Sequence, residues 1–185
     1  MIEDVISTAE KKMTGAVEFA KSEFATVRTG RAHPAMFNKL TADYYGTPTP
    51  LQQLATFQSP EPRTMLITPF DRSAMAAIEK AIRNSDLGVA PSNDGIAIRI
   101  VMPELTQERR LQFTKVVRTK AEEARVAIRN TRRNSIDAIK KLEKDKEIGE
   151  DDASRAEKSL DAITKKYIDQ VDDVLKIKEA ELMEV

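Results

Sequence analysis

The sequence predicts an α+β protein: an antiparallel three-helix bundle with a small β/α/β domain inserted between its first and second helices. Three observations carry this. Three long segments repeat apolar residues at helical spacing. All eight prolines fall between Pro34 and Pro103. Gly30 and Pro103 stand where the periodic segments meet the proline-rich one, and both residues end regular structure.

In the first segment Ile2, Ile6, Ala9, Met13, Ala16, Ala20, Phe24 and Val27 recur every three or four residues, and Gly30 with Pro34 stops the helix. The second segment follows Pro103, with Thr106 as N-cap and Gln107 and Glu108 in its first turn. Its stripe is Phe113, Val117, Ala124, Ile128, Thr131, Ser135, Ile139 and Leu142; about 40 residues of helix span roughly 60 Å. Gly149 is expected to interrupt it, and Glu150, Asp151 and Asp152 suit the positive end of a third helix. That helix carries Ala153, Ala156, Leu160, Ile163, Tyr167, Val171, Val174 and Leu182. Each stripe is too narrow to stand without partners.

Between them, β-leaning runs occur at Met36–Asp43, Leu54–Ser59, Thr64–Thr68 and Ile96–Val101. Thr47-Pro48-Thr49-Pro50 and Ser59-Pro60-Glu61-Pro62 are expected to break them. A short helix fits Arg72–Asn84, started by Asp71 or Ser73, and Ser92-Asn93-Asp94-Gly95 reads as a turn. Residues 1–30 and 105–185 then form the bundle and 31–104 the inserted domain. The chain crosses between them at Thr29-Gly30-Arg31 and at Pro103-Glu104-Leu105, a double crossover that restricts a hinge to few directions. A single fused α+β domain is the plainer alternative. It ranks lower because the middle segment has its own turns, apolar runs and balanced charge.

Formal net charge is zero, yet charge is segregated. Residues 105–146 hold 13 basic and 6 acidic residues, and 147–185 hold 6 basic and 12 acidic. The absence of cysteine excludes disulfides, thiolate metal sites and a cysteine nucleophile, and fits a cytoplasmic protein. No apolar run approaches membrane-spanning length, and the acidic start Met1-Ile2-Glu3-Asp4 is unlike a signal peptide. The one histidine, His33, lies beside Pro34 and reads as a turn residue. Asp151-Asp152 and Asp172-Asp173 are adjacent acids that diverge by about 100° on a helix, so they read as a helix start and a solvated face. With no phosphate-binding glycine loop, no catalytic constellation and no cofactor site, the chain is not expected to be an enzyme.

Binding is what remains. Arg118, Arg125, Arg129, Arg132 and Arg133 lie within about a 100° arc of the second helix, with only Glu122 interleaved. The apolar stripe lies elsewhere on that helix, so this ladder is expected to stay exposed and uncompensated once the bundle forms. A solvated charged face is the competing reading. Arginine in place of lysine favours bidentate phosphate recognition, and the scarcity of aromatics disfavours single-strand stacking. Structured RNA or a duplex backbone fits such a row.

The chain resembles bacterial ribosome recycling factors over essentially its whole length. The resemblance lies in Arg28-Thr29-Gly30-Arg31-Ala32-His33-Pro34, Asp43-Tyr44-Tyr45-Gly46-Thr47-Pro48-Thr49-Pro50-Leu51 and Glu79-Lys80-Ala81-Ile82-Arg83-Asn84-Ser85-Asp86-Leu87-Gly88. It continues in Pro103-Glu104-Leu105-Thr106-Gln107-Glu108-Arg109-Arg110, Ala127-Ile128-Arg129-Asn130-Thr131-Arg132-Arg133 and Lys178-Glu179-Ala180-Glu181-Leu182. It implies an L-shaped monomer, similar in outline to tRNA, that binds the large ribosomal subunit after termination. With elongation factor G and its GTP hydrolysis, such proteins release mRNA and the last tRNA. By matching motif, Arg110, Arg129, Arg132 and Arg133 are expected on ribosomal RNA. Arg28 and Arg31 flank the hinge and either reach RNA or brace the junction. Tyr44 and Tyr45 read as a packed pair, with contact to the elongation factor as the sharper alternative. The runner-up from another class is a helical protein–protein interaction module.

Overall fold

A computed structural model describes residues 1–184. Its order is a long helix, a β-rich segment, and two long helices: α1 (Ile2–Thr26), β1 (Thr41–Tyr44), β2 (Thr47–Pro50), α2 (Leu51–Leu54), β3 (Ala55–Glu61), β4 (Thr64–Pro69), α3 (Met75–Arg83), β5 (Ser92–Asn93), β6 (Ile98–Val101), α4 (Gln107–Lys144) and α5 (Glu150–Met183). The chain groups into two compact units. One joins Met1–Phe24 with Lys115–Glu179; the other joins Ala25–Thr114 with the residues from Ala180 onward. The crossing points of this grouping lie inside the three long helices, so the second unit holds the helix ends as well as the sheet.

In the first unit α1 and α5 run parallel and α4 antiparallel to both. Lys120 pairs with Glu23 at 3.2 Å, and Ala9 packs with Ile139 and Ala153. The core is narrow and alanine-rich: Ala9, Met13, Val17, Ala20, Val117, Ala121, Ala124, Ile128, Ala156, Leu160 and Val171 are buried. Thr14 donates to the Tyr167 hydroxyl at 3.2 Å across the α1–α5 seam. Small residues let long helices lie close, while burial of each larger aliphatic side chain contributes about 1.5–3 kcal/mol.

The helix ends have local causes. Thr106 caps α4 by accepting from Arg109 N at 3.1 Å. At the other end the break is made by Lys146, not by Gly149. Lys146 adopts φ +58°, its N–H donates to Glu143 O at 3.0 Å, and Glu147 N donates to Leu142 O at 2.9 Å. This is the Schellman pattern with lysine where glycine is usual. Gly149 has no left-handed φ and serves as the residue before α5.

In the second unit β3-β4-β6-β5 form one antiparallel sheet, and β1–β2 a separate hairpin. One face of the sheet joins α3, α2 and the hairpin around Phe37, Leu51, Met65, Ile67, Ile78, Ile82, Ile98 and Ile100, all fully buried. Three expectations are corrected. Pro34–Phe37 is a 3-10 turn capped by His33, so the first β-leaning run becomes a strand only from Thr41. Thr47-Pro48-Thr49-Pro50 is itself strand β2, because the missing proline N–H groups cost nothing on the edge of a two-stranded hairpin. Ser59-Pro60 lies within β3, where the register slips between Gln58 and Glu61. Asp71 starts the expected helix by accepting from Ser73 N at 2.9 Å, first as a 3-10 turn and then as α3. Asp94 Oδ1 accepts from Ile96 N and Ala97 N, each at 2.9 Å, closing the turn into β6.

Candidate nucleic-acid interface

α4 contains no glycine or proline and is rich in Arg, Lys, Ala and Glu, so its 38 residues hold a rod about 57 Å long. The buried stripe Val117, Ala121, Ala124, Ile128 and Ile139 fixes its rotation within the first unit.

That rotation splits the arginine ladder in two. Arg118, Arg125 and Arg132, seven residues apart, line the α4–α5 seam. Arg118 Nε reaches Glu179 Oε1 at 2.6 Å. Arg125 donates to Asp172 Oδ1 through Nε at 2.8 Å and Nη2 at 2.6 Å. Arg132 Nε lies 2.6 Å from Asp161 Oδ1. The expectation of an uncompensated stripe is therefore wrong for these three. The antiparallel neighbour supplies one carboxylate to each, as flanking positions of a coiled coil do, with Glu179 and Asp172 seven residues apart and Asp161 eleven residues before Asp172. Asp172 is correspondingly an ion-pair partner and not merely part of a solvated face. The signal was present in sequence: Asp172 and Glu179 repeat the seven-residue step of Arg118 and Arg125 in reverse order.

The other two arginines face outward. Arg129 is about half exposed (51%), and its Nη1 meets Glu122 Oε1 at 3.0 Å. Glu122 Oε2 meets Arg125 Nη1, also at 3.0 Å. Arg133 is exposed and makes no ion pair among the described residues. Lys115 and Lys140 are exposed and share the arc of Arg129 and Arg133 to within about 40°. Helical projection of the sequence alone places both there, beside the arginines. The outer row is thus Lys115, Arg129, Arg133 and Lys140, with Glu122 as the one acid in the same arc. Electrostatics follow the geometry. Glu122 is held below the usual carboxylate range, chiefly by its hydrogen bond from Arg129 and then by that from Arg125. The hydrogen bond that Arg118 donates to Glu179 raises its guanidinium above the ordinary value.

Arg28, Arg31 and Arg110 belong to the second unit and have structural partners. Arg110 Nη1 donates to Leu182 O at 2.8 Å and to Glu184 O, taking up carbonyls at the end of α5. Arg28 Nη2 donates to Pro103 O, while its buried Nε has no partner. Burial, followed by the nearby charge of Arg109, lowers its guanidinium below the ordinary value. Arg31 Nε pairs with Glu184 at 3.3 Å. These arginines knit the loop after α1, the segment before α4 and the end of α5. Ala32 N to Pro62 O and Met102 N to Arg63 O, both 2.7 Å, anchor the two strands of chain that enter the sheet region. Gly30 uses no left-handed backbone, and among the described residues a Cβ there would meet only Arg110 Nη2, at 3.8 Å.

Tyr44 donates to Asp71 Oδ2 at 2.9 Å and meets Tyr45 edge-on, with centroids 4.6 Å apart. Tyr45, 80% exposed, and Gly46 form the two-residue turn of the β1–β2 hairpin with φ +51° and +82°. The pair is packed only at Tyr44. His33 Nδ1 accepts from Ala35 N at 3.1 Å, the turn role its neighbours suggested. Among the described residues, no group of three or more His, Asp or Glu is placed to hold a metal, and no helix is long and apolar enough to cross a membrane.

The family model for ribosome recycling factor matches residues 20–183. The ribosome-recycling factor of Cutibacterium acnes is 62% identical over 182 residues, covering 98% of this chain and 99% of the relative. That of Kocuria rhizophila is 63% identical over 183 residues, covering 99% of each. A solution structure of ribosome recycling factor matches with TM-score 0.82 and 40% identity, covering 100% of this chain and 98% of the other. A second structure covers 100% of both chains, with TM-score 0.72 and 42% identity; it describes the T. thermophilus ribosome recycling factor and E. coli elongation factor G bound to the E. coli post-termination complex.

Proposed function

The chain belongs to the ribosome recycling factor family, and on that premise we propose that it binds the large ribosomal subunit after termination and, with elongation factor G and GTP, splits the post-termination complex to release mRNA and tRNA. The observation that carries this is the family match along nearly the whole chain. The relative placed beside elongation factor G on a post-termination complex supports the same partners here. The alternative of a helical protein-binding module is not favoured.

The factor works mechanically, in the bacterial cytoplasm, as a monomer with no catalysis of its own; nucleotide hydrolysis belongs to the elongation factor. The bundle, residues 1–30 and 105–185, is the anchor. Arg129 and Arg133 meet ribosomal RNA phosphate directly, supported by Lys115 and Lys140. Arg132, Arg118 and Arg125 lie beside them and exchange carboxylate for phosphate where the RNA comes close. Arg110, Arg28 and Arg31 brace the helix ends against the load. The inserted domain, residues 31–104, is the lever, turning at Thr29-Gly30-Arg31 and Pro103-Glu104-Leu105 as the elongation factor pushes.

The test is sedimentation of post-termination ribosomes with the protein, elongation factor G and GTP. Separate subunits are expected only when all three are present. Intact ribosomes under those conditions, or splitting by the protein without the GTPase, would contradict the reading.

A further inference from the structure

Glu122 is the one acid in the cationic outer row of α4, and it bridges two of the ladder arginines. The two arginines depend on it unequally. Arg125 is only 20% exposed and keeps two donors on Asp172 whether or not Glu122 is present. Among the described residues Arg129 pairs with no carboxylate but Glu122, which it reaches with a single Nη1 donor at 3.0 Å. The approach is natural for a long side chain two turns further along, since helical side chains lean toward the N-terminus. Both partners are about half in water, 51% and 53% exposed, so the pair is screened and exchangeable. The same carboxylate lies in a groove of about 460 Å³ with Arg125, Arg129, Asp172 and Lys176. A phosphate can offer Arg129 two oxygens in fork geometry where Glu122 engages only one of its nitrogens.

We propose that Glu122 is an intramolecular stand-in for RNA phosphate: it occupies Arg129 in the free protein, competes with the ribosome for it, and so limits how tightly the anchor holds. This rests on the RNA-anchoring reading above and assigns that site a built-in means of release. A factor that must leave after each round gains from an anchor whose own carboxylate recaptures the arginine as RNA withdraws. The low-lying titration of Glu122 keeps the competitor charged at neutral pH.

The experiment measures binding of labelled protein to purified large subunits across a series of KCl concentrations. It uses wild type, Glu122→Gln, Glu123→Gln and the Glu122→Gln/Arg129→Ala double variant alongside Arg129→Ala. Glu123 is exposed and adjacent and has no ion pair among the described residues, so its neutralisation removes the same formal charge without freeing an arginine. Glu122→Gln is expected to tighten binding about three- to fivefold, the scale of one exposed ion pair. It should also steepen the slope of log affinity against log salt by about 0.7, one further phosphate engaged. Glu123→Gln should produce the smaller, purely long-range effect, and the gain from Glu122→Gln should vanish without Arg129. Equal effects of the two glutamine variants, a gain that survives Arg129→Ala, or weaker binding by Glu122→Gln would each overturn the competition while leaving RNA anchoring intact. Wild-type protein that fails to bind large subunits would overturn the anchoring reading itself, and this inference with it.

Discussion

Asp71 holds two elements at once: it accepts from Ser73 N to start the helical turn before α3, and from the Tyr44 hydroxyl to hold the β1–β2 hairpin. Its carboxyl is held below the usual range, first by the Ser73 backbone hydrogen bond, then by the Ser73 side chain and by Tyr44. A carboxyl depressed on folding contributes stability above its unfolded value, and that contribution is lost as pH falls through the lower folded value. Tyr44 behaves in the opposite sense. Its hydroxyl is raised above 10.0, chiefly by the bond to Asp71, so its contribution is lost only as pH rises through that raised value. In Tyr44→Phe the Asp71 carboxyl should titrate closer to its ordinary range, as followed by carboxyl NMR; an unmoved titration would mean the bond does not persist in solution. Arg110 is also a residue-scale matter. Arg110→Ala strips donors from the carbonyls at the end of α5, with an expected stability loss of about 1–3 kcal/mol in thermal unfolding. Arg133→Ala removes no ion pair among the described residues and should leave unfolding unchanged while weakening large-subunit binding. A reversal of that pattern would return Arg110 to the RNA face.

At the scale of elements, the termination of α4 is the most local device. Lys146 occupies the left-handed position of a Schellman motif, which costs a non-glycine residue about 1–2 kcal/mol. Lys146→Gly should raise stability by about 1 kcal/mol, offset in part by the greater freedom of glycine in the unfolded chain; destabilisation would mean the lysine side chain holds the turn. This also shows where sequence stops being legible. Gly149 attracts the eye as a helix stop, but a cap depends on hydrogen bonds that residue type alone does not reveal, and these form three residues earlier. The proline pairs were likewise informative about local conformation and misleading about sheet membership. Pro48 and Pro50 cannot donate, which forbids a central strand and permits an edge one. The three long helices were legible because their apolar period persists over many turns, and Asp71, Thr106 and Asp94 because each cap or turn acts within three residues.

Across the whole molecule, the arginine ladder was legible as a helical row, but its environment was not. Which carboxylates meet it depends on the rotation and register of α5 against α4, a tertiary quantity. Arg118, Arg125 and Arg132 became seam ion pairs, and the outward row passed to Arg129, Arg133, Lys115 and Lys140. The compact units likewise divide inside the long helices and not at the Gly30 and Pro103 crossings, and Arg28, Arg31 and Arg110 link the helix ends within the second unit. The proposed hinge is tested by Gly30→Pro against Gly30→Ala. The alanine Cβ has space and no left-handed strain, so that variant should bind and split as wild type does. The proline variant should still bind large subunits but lose splitting with elongation factor G and GTP. Splitting that survives the proline would remove the need for motion at that crossing. The anchoring claim on which the rest stands is tested most directly by the salt dependence of large-subunit binding for wild type and for the Arg129→Ala/Arg133→Ala double variant. Wild-type affinity should fall steeply with salt, and the double variant should bind more weakly with a slope shallower by about 1.4, two phosphate contacts fewer. Identical slopes and affinities for the two proteins would contradict an anchor built on the outer face of α4.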